Sequence, residues 1–133
     1  MRMRWPLIAT AAALTGLAGV ATAHHSFTAT YFEDRTTEIE GKLLQFMFRN
    51  PHSFVHVEAP DENGTMQRWA VECGGAGQLS GQGVTNQTLR VGDVVSITGN
   101  PGRDPADHRI RMQYLRRPAD GFEWGRNPGE TFN

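Results

Sequence analysis

Hydrophobic and polar residues alternate along several short stretches of this chain, a pattern typical of half-buried β-strands. Turns rich in Gly, Pro, Asn and Asp separate these stretches. The pattern predicts five strands, at residues 37–49, 53–59, 66–72, 94–98 and 108–116.

The second and third predicted strands form a hairpin whose register follows from the pattern. A loop at residues 62–64 contains Asn and Gly, which tolerate a positive φ. In this register Val57 lies opposite Trp69 on an apolar face, and Glu58 lies opposite Arg68 on the other face. A shift by one residue would mix the two faces.

Residues 74–89 are rich in Gly, Gln, Ser and Asn and have few apolar anchors, which favours a short helix or turn. Three strands, a short helical connection and two more strands resemble the OB-fold, a small Greek-key barrel. We therefore predict an all-β fold: a small five-stranded antiparallel OB-like barrel at residues 37–117, with the helical connection after strand 3. The Pro- and Gly-rich residues 118–133 are predicted to be an extended tail.

The N-terminus has the three parts of a secretory signal peptide. Arg2 and Arg4 are the positive start, residues 7–20 are the uncharged and largely apolar run, and Ala21-Thr22-Ala23 is the cleavage site. The apolar run is shorter than the roughly 20 residues that cross a bilayer. We expect a periplasmic or secreted protein, cleaved near Ala23, without a stable membrane anchor.

Charge and motifs narrow the function further. Removal of Arg2 and Arg4 with the signal leaves 11 of the 13 basic side chains against 14 acidic ones. Nucleic-acid-binding domains usually have a basic excess, so we expect no nucleic-acid partner. The sequence also lacks Gly-x-Ser-x-Gly, His-Glu-x-x-His and a phosphate-binding glycine loop, so we expect no enzymatic activity.

Cys73 is the sole cysteine, so no disulfide can form within the chain. At the end of a predicted strand, its simplest interpretation is a small buried hydrophobic side chain. An intermolecular disulfide and a soft metal ligand are the alternatives.

Cleavage after Ala23 would place His24 and His25 at the new N-terminus. His24 then offers its amine and its ring nitrogen, and His25 adds a second ring. Imidazole nitrogens suit zinc, copper, iron and nickel, and divalent copper binds most tightly in that series. The alternative interpretation is a frayed and solvated terminus.

A second candidate is the segment Asn50-Pro51-His52, after the first predicted strand. Proline biases the preceding residue toward extended geometry, so we expect His52 to be held at the mouth of the barrel. In the hairpin register His52 lies diagonal to Glu72, whose carboxylate could orient the ring or join it as a metal ligand. The alternative is a turn histidine bonded to a carbonyl, with Glu72 capping a backbone amide.

Together these residues give the leading hypothesis, an exported binding protein with a copper or similar metal site. Its predicted ligands are His24, His25, His52 and Glu72. The site requires aromatic residues of the N-terminal segment, residues 24–36, to hold the terminus across the barrel. The candidates for that role are Phe27, Tyr31 and Phe32.

The alternative function is metal-independent binding of an envelope protein on the outer face of the barrel. That face would use aromatic and basic side chains: Phe54, His56, Arg109, Arg111 and Arg116. Binding of a small molecule or an oligosaccharide on the same face is a third hypothesis.

Four short motifs resemble those of one family. They are His24-His25-Ser26-Phe27, Asn50-Pro51-His52, Trp69-x-x-Glu72 and Leu89-x-x-Gly92-Asp93-x-Val95. The family consists of small exported bacterial proteins and is known only as a domain of unknown function. The resemblance covers the mature domain to about Tyr114 and implies a secreted or periplasmic single domain, without an agreed activity. Val84 and Cys73 stand where tryptophan and methionine are common in that family.

Overall fold

The computed structural model describes residues 27–126. They belong to two units, residues 27–30, which are helical, and residues 31–126, which contain every strand. None of the helices among these residues has the length and apolar character needed to cross a membrane. The elements are β1 (Thr37–Met47), β2 (Phe54–Pro60), β3 (Met66–Glu72), α1 (Ala76–Ser80), β4 (Val94–Pro101), a 3-10 helix (Pro105–Asp107), β5 (Arg109–Arg117) and β6 (Phe122–Gly125).

Strands β1 to β5 close into a barrel in the order β3-β2-β1-β4-β5. The barrel closes where residues 70–72 of β3 pair in parallel with residues 109–111 of β5. The predicted five-stranded barrel with a short helix after the third strand is confirmed, but the prediction that all strands are antiparallel is wrong. A closed ring with an odd number of strands cannot alternate direction at every junction, so one pair has to be parallel.

The residues predicted as an extended tail contribute a sixth strand. β6 pairs antiparallel with the second half of β5, beyond the part that pairs with β3. Its Trp124 is 5% exposed and lies 6.1 Å, between ring centroids, from Phe46 of β1. The Pro- and Gly-rich composition of this region indicates a turn, and a strand of four residues is too short to show a clear alternation.

The predicted hairpin register is confirmed: Val57 pairs with Trp69, and Glu58 pairs with Arg68. Alternate residues of β2 therefore point into the core, as the pattern requires. Cys73 follows β3 and is 6% exposed, in agreement with its interpretation as a small buried side chain. The fully buried side chains of the strands include Leu43, Val55, Val57, Val71, Val95, Ile97, Ile110 and Leu115.

β1 is the longest strand because it joins two parts of the barrel. Its first half pairs with β4 and its second half with β2. The pairing with β2 shifts between Leu43 and Gln45, which leaves Leu44 as an extra residue. Such a bulge bends the strand and increases its twist, and here it lets one strand serve two neighbours.

Candidate functional site

The loop between β1 and β2 carries the Asn50-Pro51-His52 segment, and the Asn50–Pro51 peptide bond is cis. Ser53 is fully buried and closes this loop on itself. Its Oγ accepts from the Arg49 amide at 3.1 Å and donates to the Arg49 carbonyl at 3.0 Å. These two bonds fix the backbone on both sides of the histidine.

The start of α1 holds the same loop from the other side. The Gly77 amide donates to Asn50 Oδ1 at 3.2 Å, and the Ala76 amide donates to the Arg49 carbonyl at 3.0 Å. The helix begins without a side-chain cap of its own. Asn50 therefore satisfies an amide at the helix start, and in return its carboxamide has a fixed orientation.

His52 contacts the carboxylate of Glu72 at the end of β3. Nδ1 of the ring lies 2.5 Å from Oε1, and the side chains are 37% and 12% exposed, respectively. The proximity predicted from the hairpin register is therefore found, and the ring nitrogen bonds the carboxylate rather than a carbonyl. Because a carboxylate oxygen accepts, Nδ1 is the donor in this contact. In the neutral tautomer with its proton on Nδ1, the lone pair of the ring is on Nε2.

The second oxygen of Glu72 is also engaged. Oε2 accepts from the Tyr31 hydroxyl at 2.5 Å and from Nη2 of Arg109 at 3.4 Å. Burial, followed by the hydrogen bond to Glu72, raises the pKa of the Tyr31 phenol well above its usual range. The phenol therefore stays protonated and remains a donor. Arg109, which is also predicted to contact a partner, lies on this carboxylate.

The role of Tyr31 goes beyond what the pattern indicated. It was expected as an aromatic anchor, and it is 1% exposed and forms a β-bridge with Gly102. The next residue, Phe32, donates its amide to the Pro101 carbonyl at 3.0 Å. The hydroxyl that reaches Glu72 comes from a residue 41 positions away, and no spacing in the sequence indicates that pair.

Two of the predicted metal ligands, His24 and His25, lie outside the described residues. Within residues 27–126, no three His, Cys, Asp or Glu side chains come together as a metal-binding group. Cys73 is buried beside Met112, with 3.8 Å between the sulfur atoms, and burial raises the pKa of its thiol to about 12. This thiol is therefore neutral at physiological pH.

On the outer face of β2, Phe54 and His56 stack with ring centroids 6.3 Å apart. His56 was expected on the surface, but its Nδ1 is buried and has no hydrogen-bond partner among residues 27–126. Burial, and then the positive charges of Arg68 and Arg49, lower the pKa of His56. This ring therefore stays neutral to a lower pH than the ring of a solvated histidine.

The two other predicted interaction residues lie on β5. Arg111 pairs with Glu72 in the parallel β3–β5 register, so it belongs to the same side of the barrel as the site. Arg116 is exposed and pairs with Ser96 of β4. The structure thus brings Phe54, His56 and Arg111 near the β2–β3 surface, while Arg116 lies toward the opposite end of β5.

No curated protein matches the sequence. Among solved structures, the chain is similar to the mitochondrial single-stranded DNA-binding protein Rim1 from S. cerevisiae, with a TM-score of 0.46 and 10% sequence identity. The match covers 64% of this chain and 94% of that one.

This comparison corrects the prediction that excluded nucleic-acid partners. The similar structure is that of a single-stranded DNA-binding protein. The prediction relied on the net charge and the expected export of the chain, whereas a ligand meets a local surface. We withdraw the exclusion, and a match with this TM-score carries no argument about what the chain binds.

A second comparison identifies the family. A family model described as "Family of unknown function (DUF6152)" matches residues 12–111, which is most of the sequence. The matched range includes the loop with His52, the β2–β3 hairpin with Glu72, and the turn before β4. The chain therefore belongs to the DUF6152 family, a family of unknown function.

Proposed function

We propose that this chain is an exported, non-enzymatic binding protein that takes Cu²⁺ or a similar ion at its processed N-terminus. Residues 1–23 would direct it to the periplasm or the exterior and be removed near Ala23. The scaffold would be an OB-like barrel, because five strands with a helix after the third match that element order.

The contact between His52 and Glu72 carries this proposal. Histidines that bind metals commonly donate their other ring N–H to a carboxylate, which fixes the tautomer and raises the basicity of the ligand. Glu72 has that position at Nδ1, and Tyr31 and Arg109 in turn hold Glu72. A ring prepared in this way presents Nε2 as a metal ligand.

The remaining ligands would come from His24, through its amine and ring, and from His25. Three or more nitrogen donors of this kind suit the planar geometry of divalent copper. Tyr31 is anchored beside His52, because its hydroxyl bonds the same carboxylate. This anchor limits the distance that the preceding residues have to span. His24 is seven residues earlier in the sequence, at most about 25 Å along an extended chain.

A Cu²⁺ titration of the chain beginning at His24, followed by absorption and electron paramagnetic resonance, tests the proposal. One extra alanine before His24 converts the amine to a peptide nitrogen and is expected to weaken binding. His52→Ala is expected to weaken it as well. His108→Asn is the matched control, since Asn tolerates the φ of 45° at that position, and it should bind like the wild type. Equal affinity of the alanine-extended and authentic chains would contradict the terminal site.

The second candidate function is metal-independent binding of an envelope protein on the outer face of β2. The stack of Phe54 and His56 favours it, because the rings are only partly buried and Arg49 lies 5.6 Å from the Phe54 centroid. Aromatic and arginine side chains are enriched where proteins bind one another.

Capture from an envelope extract in the presence of a chelator tests this second function. A stoichiometric partner is expected to remain bound, to be lost with Phe54→Ser and to be kept with Met66→Ser. Met66 is the control because it is 55% exposed at the other end of the hairpin. Loss of the partner when chelator is added would contradict metal-independent binding.

A further inference from the structure

An open depression of about 420 Å³ lies beside the β1–β2 loop. Its lining combines two hydrogen-bond donors, two apolar surfaces and the His52–Glu72 pair. The lining residues are Arg49, Asn50, Pro51, His52, Phe54 and Glu72. The proposed metal site uses neither donor, so the chemistry of this depression is a question separate from metal binding.

Arg49 supplies a positive charge without a carboxylate partner among residues 27–126. Its side chain is nevertheless fixed: Nε donates to the His52 carbonyl at 3.4 Å, and the guanidinium lies 5.6 Å from the centre of the Phe54 ring. The two terminal nitrogens make no hydrogen bond to any described residue. A guanidinium held at Nε presents these nitrogens as a fork that matches a carboxylate.

Asn50 supplies a second donor of fixed direction. Its Oδ1 accepts from the Gly77 amide at 3.2 Å. Because an amide N–H needs an acceptor, this bond identifies which end of the carboxamide is the oxygen. The NH₂ group therefore faces away from α1 and can donate. Asn50 and Arg49 line the same depression, so two donor groups are available to one ligand.

The local charge also favours an anion. Glu72 is the single carboxylate that lines the depression, and both of its oxygens are occupied, by His52 on one side and by Tyr31 and Arg109 on the other. Arg49 therefore remains uncompensated within the described part of the chain. The lowered pKa of His56 points the same way, since after burial its causes are two nearby arginines.

We propose that this depression binds a small organic carboxylate, with Arg49 and Asn50 holding the carboxylate and Pro51 and Phe54 contacting its apolar body. Inorganic anions would satisfy the donors but leave the apolar walls exposed. Neutral analogues would fill the walls but leave the guanidinium unpaired. The site thus selects for charge and for an apolar body together.

An NMR titration of the full ¹⁵N-labelled chain tests this site, with benzoate, benzamide and phosphate as probes. Benzoate is expected to shift the amide signals of residues 49–54 and to bind more tightly than either of the other two probes. Equal affinity for benzamide would overturn the role of charge, and equal affinity for phosphate would overturn the role of the apolar walls.

Two variants test the donors. Arg49→Gln should weaken benzoate binding about tenfold or more, because a hydrogen bond to a charged group is lost. Asn50→Asp keeps the acceptor for the Gly77 amide but replaces the NH₂ donor with a negative oxygen, so it should abolish binding. Arg90→Gln, in the turn before β4, is the matched control and should leave the affinity unchanged.

The outcomes remain separate from those of the metal proposal. Benzoate is titrated without metal, and Arg49→Gln leaves His52 and its bond to Glu72 in place. Wild-type affinity for benzoate in Arg49→Gln and Asn50→Asp, with unchanged spectra of the folded protein, would overturn the carboxylate site whatever the copper titration gives.

Discussion

His56 illustrates how a single side chain can link stability to pH. Its ring is stacked on Phe54, its Nδ1 is buried without a hydrogen-bond partner in the described chain, and Arg49 and Arg68 are nearby. Protonation would place a positive charge in this environment. The unfolded chain therefore takes up a proton more readily than the folded chain does.

We predict that replacing His56 with Gln flattens the pH dependence of stability. Because the folded pKa is below 6.5, the wild type should lose stability as the pH falls through and below that value. His56→Gln should lose less over the same range. Urea unfolding at several pH values measures the difference, and parallel curves for the two proteins would contradict the assignment.

Tyr31 is the second residue whose chemistry decides its role. A buried phenol needs a hydrogen-bond partner, and here the partner is the carboxylate that also holds His52. Tyr31→Phe should lower the free energy of unfolding by about 1–3 kcal/mol, since a hydrogen bond to a charged acceptor is lost in a buried site.

Tyr114→Phe provides the comparison, measured by the same denaturant unfolding. Tyr114 also donates to a carboxylate, Glu123, but that bond is exposed, so its loss should cost much less. Equal losses in the two variants would show that burial does not set the strength of the Tyr31 bond.

At the level of elements, the close contact between β1 and β2 depends on Gly41. A Cβ at this position would collide with the carbonyl oxygen of Glu58 and with the side chain of Ala59. The glycine therefore marks a close approach of two strands, while the bulge lies three residues later, at Leu44.

We predict that Gly41→Ala destabilises the barrel by about 1–3 kcal/mol, because the strands must move apart to make room. Gly77→Ala is the matched control, since its nearest neighbour would be 3.9 Å from the new Cβ and alanine favours a helix. Thermal unfolding followed by circular dichroism measures both. A neutral Gly41→Ala would mean that the strands adjust without cost.

At the level of the whole barrel unit, Arg117 ties three segments together. It donates to the Thr88 carbonyl and to Asp93 before β4, and it forms two hydrogen bonds with Asp120 in the turn before β6. The bond from Arg117 lowers the pKa of Asp120. For Asp93, burial raises the pKa, but the bonds from the Arg90 amide and from Arg117 outweigh it, so that pKa is lowered too.

Arg117→Gln should therefore destabilise the protein most where both carboxylates are ionised. Lowered pKa values contribute stability above 3.8, and that contribution disappears as the pH falls through the folded values. The difference between wild type and variant should shrink in acid, as measured by unfolding at neutral pH and at a pH well below 3.8. Arg116→Gln, an exposed neighbour, should show neither effect. A pH-independent difference would contradict this role.

The sequence by itself determined the β-sheet content, the hairpin register and the nearness of His52 to Glu72. These follow from local rules, since alternation assigns the faces of a strand and a short turn fixes which residues are opposite. The proximity of two residues 20 positions apart was thus available from the pattern, because one hairpin spans most of that separation.

Only the tertiary structure decided the contacts that depend on barrel closure. Parallel pairing of β3 with β5 places Arg109 at Glu72, and the chain before β1 places Tyr31 on the same carboxylate. The pairing of β6 with β5 and the fixed orientation of the Arg49 side chain are also decided by the tertiary structure. No periodicity in the sequence encodes these contacts, because segments far apart in the sequence meet only when the barrel closes around its core.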